Sequence, residues 1–128
     1  MEPFPERKMN KTFLTCAILG CIAVLLGAFG AHGLEGKVSE KALAVWATAN
    51  RYHFIHTLAF LALAVGEIQG LARTGAAKAL WALGLIFFSG GLYIYAVSGI
   101  KLFALIAPVG GLSYAAGWLA LTRLEMRD

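Results

Sequence analysis

An all-α fold is predicted for this chain: a four-helix transmembrane bundle with an interfacial amphipathic extension before the second helix. Two observations carry that prediction. The first is composition: of 128 residues, 59% are hydrophobic before Gly is counted and only 14% are charged. Ordinary soluble domains reach about 45–50% apolar with Gly included and about 25% charged. A water-soluble domain is therefore excluded, as are disordered and disulfide-scaffold classes, since the chain is apolar and has two Cys. The second is where charge is missing. Residues 12–34, 79–100 and 102–122 contain no Asp, Glu, Lys or Arg, and 52–72 contain only Glu67. Each stretch is long enough for the ~20 helical residues that cross a bilayer core, whereas a β-barrel would show alternating segments of about 10.

The elements follow in order. Residues 1–11 form a polar N-terminal tail, and 12–32 the first span. Arg7, Lys8 and Lys11 before an apolar run also suit a signal peptide, but the run from Thr12 to Ala31 exceeds a signal core, and Ala28-Phe29-Gly30 is a poor cleavage site. We read an uncleaved helix. Gly33 and Gly36 break it, and Ser39-Glu40 then reads as a cap with an acidic first turn. No Gly or Pro falls between Glu40 and Val65, so the second helix starts well before its membrane part at 52–71. Its early turns carry Leu43, Trp46, Ala47 and Asn50 on one face. Spans at 79–99 and 103–122 and a tail at 123–128 complete the domain.

With four spans, the N-terminus, the 73–78 connection and the C-terminus share a side. That side holds Arg7, Lys8, Lys11, Arg73, Lys78, Arg123 and Arg127, against Lys37, Lys41, Arg51 and Lys101 opposite. The excess of cations places both termini in the cytoplasm. It accounts for the net charge of +4, and no basic stripe interleaved with aromatics suggests nucleic acid. Trp46 reads as an interfacial anchor, with Trp81, Trp118, Tyr93 and Tyr114 as an aromatic belt.

Small residues describe how helices meet. Gly27 and Ala31 repeat at spacing four on the first helix, Gly90 and Gly91 lie in the third, and Gly110 and Gly111 in the fourth. Such faces let backbones approach closely within the bundle or against a partner. A competing reading makes Ala107-Pro108 with Gly110-Gly111 a broken helix lining a cavity.

Three histidines are the strongest chemical candidates. His32 closes the first helix, while His53 and His56 share a face of the second, so all three belong to the outer side. They suit a transition metal or axial haem ligation, or else lock two helices through hydrogen bonds. Glu67 is the one acid inside an apolar stretch and a candidate intramembrane acid. It lies about 16 Å along the helix from His56, beyond reach of the histidines and near Arg73 or Lys78. Cys16 and Cys21 fall on different helix faces. No nucleophilic triad, phosphate loop, dinucleotide fingerprint or carboxylate pair is present, so an enzyme is not expected and no cofactor is called for.

Gly27-Ala28-Phe29-Gly30-Ala31-His32-Gly33-Leu34 resembles the signature of the transmembrane-protein-256-like family (domain of unknown function 423). Trp46 to His53 with His56, Phe88 to Tyr93, and Pro108 to Leu112 with Gly117-Trp118 fit it too, so the likeness covers about residues 10–122. It implies a small multi-pass protein of a bacterial inner membrane and carries no activity, substrate or catalytic residue. Position 53 departs from the family pattern, which favours Gln there, leaving His32 and His56 as the better candidates. The leading expectation is a non-catalytic protein packed against itself or a membrane-protein partner. The alternatives are a haem-, quinone- or metal-associated protein using the outer-side histidines, and a small oligomeric transporter or channel with Pro108 and the glycines lining its path.

Overall fold

The computed structural model describes residues 1–4 and 8–128; Arg7, counted above among the cations, lies outside them. Helix α1 runs Lys11–Ala28 and widens into a π-helical turn, Phe29–Gly33. Helix α2 is Glu40–Ile68. Helix α3 spans Gly75–Ser98, with a π-helical middle at Leu85–Gly90. Helix α4 is Lys101–Leu119 and closes in a 3₁₀ turn, Ala120–Arg123. Two short strands, β1 (Leu71–Ala72) and β2 (Glu125–Met126), pair antiparallel and tie the C-terminus to the α2–α3 connection.

The helix ends follow from local chemistry. Asn10 Oδ1 accepts from the backbone N–H groups of Thr12 and Phe13 at 2.8 and 3.2 Å, satisfying two of the donors that α1 leaves orphaned. Ser39 Oγ accepts from Ala42 N–H at 3.1 Å and sets the start of α2 where the sequence placed it. Gly99 ends α3 in the left-handed conformation, φ 68°, which costs a residue without Cβ nothing.

Cross-helix contacts fix an up-down-up-down bundle. Glu67 meets Thr12 at one end of the α1–α2 pair, and Trp46 reaches Leu26 at the other. Lys78 meets Glu67, and Tyr93 meets Asn50, so α2 and α3 are antiparallel. Gly84 against Tyr114 and Gly91 against Phe103 set α4 antiparallel to α3. The chain is thus a four-helix transmembrane bundle, with α2 packed along α1 and α3 and reaching α4 through His56. By length and composition α1, α3 and α4 suffice to cross a membrane. Helix α2 is less apolar because it carries His53, His56, Thr57 and Glu67, and the first three are buried inside the bundle. Its 29 residues make about 44 Å of helix, longer than the ~30 Å hydrocarbon core, which leaves its first turns as the interfacial extension.

The aromatic belt is corrected. Trp46, Trp81, Tyr93 and Tyr114 are 6%, 1%, 9% and 3% exposed; of the group only Trp118, at 43%, faces outward. Three of the buried rings fill space left by glycines: a Cβ at Gly30 would strike Trp46, at Gly84 Tyr114, and at Gly117 Trp81. A glycine opposite a large ring is close packing of unequal partners.

The broken-helix reading is corrected too. Helix α4 continues through Pro108. A Cβ on Gly110 would run into the backbone of Phe87 and Phe88, and one on Gly91 would sit 3.1 Å from the Phe103 carbonyl. The π-helical stretch of α3 and the glycines of α4 therefore meet backbone to backbone and leave no passage between them. Gly90 is half-buried beside its own helix carbonyl, and Gly111 lies in ordinary contact with Phe88. These glycines are largely spent inside the chain; a Cβ on Gly27 would likewise sit 2.9 Å from Asn50 Oδ1, while Ala31 is exposed.

Gly110→Ala is expected to cost about 1–3 kcal/mol, because backbone cannot yield as a flexible side chain can. Gly75→Ala, where a Cβ meets nothing within 4 Å, should be neutral or stabilise by up to ~1 kcal/mol. Thermal melts of both variants in detergent check this, and similar midpoints would contradict the backbone contact.

Candidate functional site

Along α2 two apolar clusters bracket a polar layer. One gathers Cys16, Phe60, Leu63, Trp81 and Tyr114, and the other Leu34, Trp46, Ala49, Tyr93 and Ala96. Between them lie Asn50, His53, His56 and Thr57. At membrane depth no water satisfies such groups, so each must find a partner in the protein or cost several kcal/mol.

His56 is fully engaged. Its Nδ1 lies 2.7 Å from the Tyr52 carbonyl, which can only accept, so this nitrogen carries the proton. Its Nε2 accepts from Trp118 Nε1–H at 3.0 Å. The ring stacks on Tyr114 at 3.6 Å between centroids, with Trp81 and Trp118 edge-on. A neutral imidazole with both nitrogens committed has no lone pair left for a metal.

His53 ends a second chain. Asn50 Nδ2 donates to the Ala23 carbonyl at 2.9 Å and to the Tyr93 hydroxyl at 3.0 Å. The Tyr93 proton is then directed to His53 Nδ1, also 3.0 Å away, which places the histidine proton on Nε2. That nitrogen is buried without a partner; the Leu19 carbonyl stands near the ring but falls short of hydrogen-bond geometry. Three helices are joined here, because Ala23 is on α1, Asn50 and His53 on α2, and Tyr93 on α3. Ser89 and Tyr114, 2.8 Å apart between hydroxyls, and Ser113 Oγ on the Leu80 carbonyl at 2.7 Å, join α3 to α4.

His32 stands apart, exposed in the last turn of α1. The structure does not bring the three histidines together, and among the described residues no three His, Cys, Asp or Glu side chains group closely enough to hold a metal. Spacing alone put the histidines on one side of the membrane; which way each ring turns is decided by Trp118 and Tyr93 on other helices.

Glu67 belongs to a separate cluster at the opposite end. Its carboxylate accepts from Lys78 Nζ at 2.8 Å, Thr74 Oγ1 at 2.9 Å and Thr12 Oγ1 at 2.9 Å. Lys78 also reaches Thr12 Oγ1 at 3.2 Å. The acid is thus tied to α1 and α3 rather than turned outward alone. The sequence showed Glu67 and Lys78; nothing in it singled out Thr12 and Thr74. Cys16 and Cys21 are both free.

The last feature is a cleft of about 460 Å³ between the end of α1 and the first turns of α2. Gly27, Gly30, Ala31, Leu43, Trp46, Ala47 and Asn50 line it, with Glu35 and Arg51. Trp46 forms part of its wall because its Nε1–H donates to the Leu26 carbonyl at 2.8 Å. Two sequence segments that resemble the family signature converge here.

The family model described as protein of unknown function (DUF423) matches residues 26–111. The chain belongs to this family. It is 44% identical over 110 residues to the UPF0382 membrane protein SH2409 of Staphylococcus haemolyticus, covering 81% of this chain and 88% of that one. It is 40% identical over 107 residues to the UPF0382 membrane protein YwdK of Bacillus subtilis, covering 82% and 87%. It is 42% identical over 103 residues to the UPF0382 inner membrane protein YgdD of Escherichia coli, covering 80% and 79%. No solved structure matches. This DUF423 member is a membrane protein whose relatives are named by location alone.

Two stability predictions follow from the site. Trp118→Phe removes the donor to His56 Nε2 and should cost about 1–3 kcal/mol; His56→Phe combined with it should cost less than the two single changes summed, read as coupling in a double-mutant cycle. Lys78→Met should cost about 1.5–3 kcal/mol by stranding a carboxylate, and adding Glu67→Leu should recover part of that loss. Independent, additive effects in the melts would show these contacts to be incidental.

Proposed function

We propose that this protein is a non-catalytic, multi-pass component of the bacterial inner membrane that works by packing, as an accessory part of an assembly of its own copies or of another membrane protein. The state of His56 carries this reading. The side chain best suited to chemistry has both ring nitrogens spent on holding α2 to itself and to α4. A haem or metal would have to displace Trp118 or the Tyr52 carbonyl to use it. The placement in the inner membrane draws support from the name of the E. coli relative.

Both termini face the cytoplasm in this reading. The start of α1, the end of α2, the start of α3 and the end of α4 lie at one end of the bundle, with Lys8, Lys11, Arg73, Lys78, Arg123 and Arg127 on the segments there. The other end carries Lys37, Lys41, Arg51 and Lys101. That excess matches the orientation rule for inner-membrane proteins. Because the glycine faces are consumed within the chain, the surface offered to a partner is the row of large apolar side chains left outside, such as Leu105, Val109 and Leu112 on α4.

Native mass spectrometry of protein gently extracted from its own membrane tests the proposal. The expected result is a mass above that of one 13.6 kDa chain with no cofactor added. A lone chain would overturn the packing role, and a haem, quinone or metal mass would return the histidines to the position of ligands.

A further inference from the structure

The cleft between α1 and α2 is lined by the last turns of the α1 span and by the first turns of α2, ahead of its apolar part. Arg51 immediately precedes the apolar part of α2, and Leu43 to Ala47 lie on its first turns, beyond the length that the hydrocarbon core accommodates. Its floor is cut away by small residues, Gly27, Gly30, Ala31 and Ala47, and one wall is apolar, Leu43 and Trp46. Its polar groups are few and of three kinds. Arg51 is exposed and Glu35 is exposed, and neither joins an ion pair, since the pairs among the described residues are Arg73–Glu125 and Lys78–Glu67. Asn50 gives both amide protons to Ala23 and Tyr93, so its Oδ1, facing Gly27, remains an acceptor.

A guanidinium, a carboxylate and an amide oxygen beside an apolar trough define a complementary molecule. It carries an anion with several oxygens, which the guanidinium fork holds better than any other side chain. It carries a cation with N–H donors for Glu35 and Asn50 Oδ1, and it ends in hydrocarbon that lies against Leu43 and Ala47. We infer that this cleft is a binding site for an aminophospholipid, the phosphate on Arg51 and the primary ammonium at Glu35 and Asn50. An anionic phosphatidylglycerol leaves Glu35 facing hydroxyls and a net negative charge, and phosphatidylcholine has no N–H to donate. The inference is independent of whether the protein assembles with partners, because cleft and charges belong to one chain.

The test uses the intact protein in detergent, titrated with phosphatidylethanolamine, phosphatidylglycerol or phosphatidylcholine of identical acyl chains and read by native mass spectrometry. Phosphatidylethanolamine should be retained about tenfold more than either of the others, the scale of one charge-assisted hydrogen bond. Arg51→Gln should lower that retention by about the same factor. Glu35→Gln should bring phosphatidylethanolamine level with phosphatidylcholine, and Lys101→Gln, a cation on the same membrane face outside the cleft, should change nothing. Equal retention of the three lipids by the unaltered protein overturns the inference without any variant. Binding that survives Arg51→Gln, or that falls equally with Lys101→Gln, overturns it as well.

Discussion

Helix α2 must bury polar side chains where there is no water to receive them, and the remaining architecture answers that demand. Asn50, His53, His56 and Thr57 sit on one helix between two apolar clusters. Thr57 folds its hydroxyl back on the His53 carbonyl at 2.8 Å. The others need partners from outside α2, and α1, α3 and α4 each provide at least one. A polar layer in hydrocarbon gives directional contacts where the hydrophobic effect between helices is absent, and so it specifies which helix neighbours which.

The glycines make the approach possible. A tryptophan or tyrosine can reach across a helix pair only if the opposite surface is cut back, and Gly30, Gly84 and Gly117 are the cuts for Trp46, Tyr114 and Trp81. The π-helical stretch Leu85–Gly90 belongs to the same fit, because there α3 and α4 touch through main chain at Phe87, Phe88 and Gly110. A single added methyl at such a place has nowhere to go. This is the physical sense in which a chain of small residues and large rings encodes one arrangement.

Much of the architecture was legible from where charges are absent. The four stretches mark the helices, and Ser39 marks the start of α2, because desolvating charge and leaving helix donors uncapped are costs that any sequence must avoid locally. What could not be read is equally physical. Aromatic residues near helix ends suit an interfacial belt or a glycine notch equally well, and only the facing helix decides between them for Trp46, Trp81, Tyr93 and Tyr114. The π-helical segments leave no periodic trace in a run that is apolar on every side. Thr12 and Thr74 look like ordinary helix-end residues until Glu67 arrives between them. The histidines stand out in an apolar sequence, yet whether the His56 imidazole is free or committed depends on Trp118, 62 positions away.

The hub around Glu67 bears on the order in which the chain enters the membrane. When α1 and α2 are in place, the carboxylate has Thr12 beside it but no positive charge, and the first two helices alone hold an acid poorly. Lys78 lies at the beginning of the next helix, 11 positions on, and brings both the charge and, through Thr74, a third hydrogen bond. Insertion of the third helix is thereby linked to the settling of the second. The pairing of Glu125–Met126 with Leu71–Ala72 closes over the same loop only after the fourth helix has crossed. The chain thus carries a latch that the residues following the fourth helix fasten.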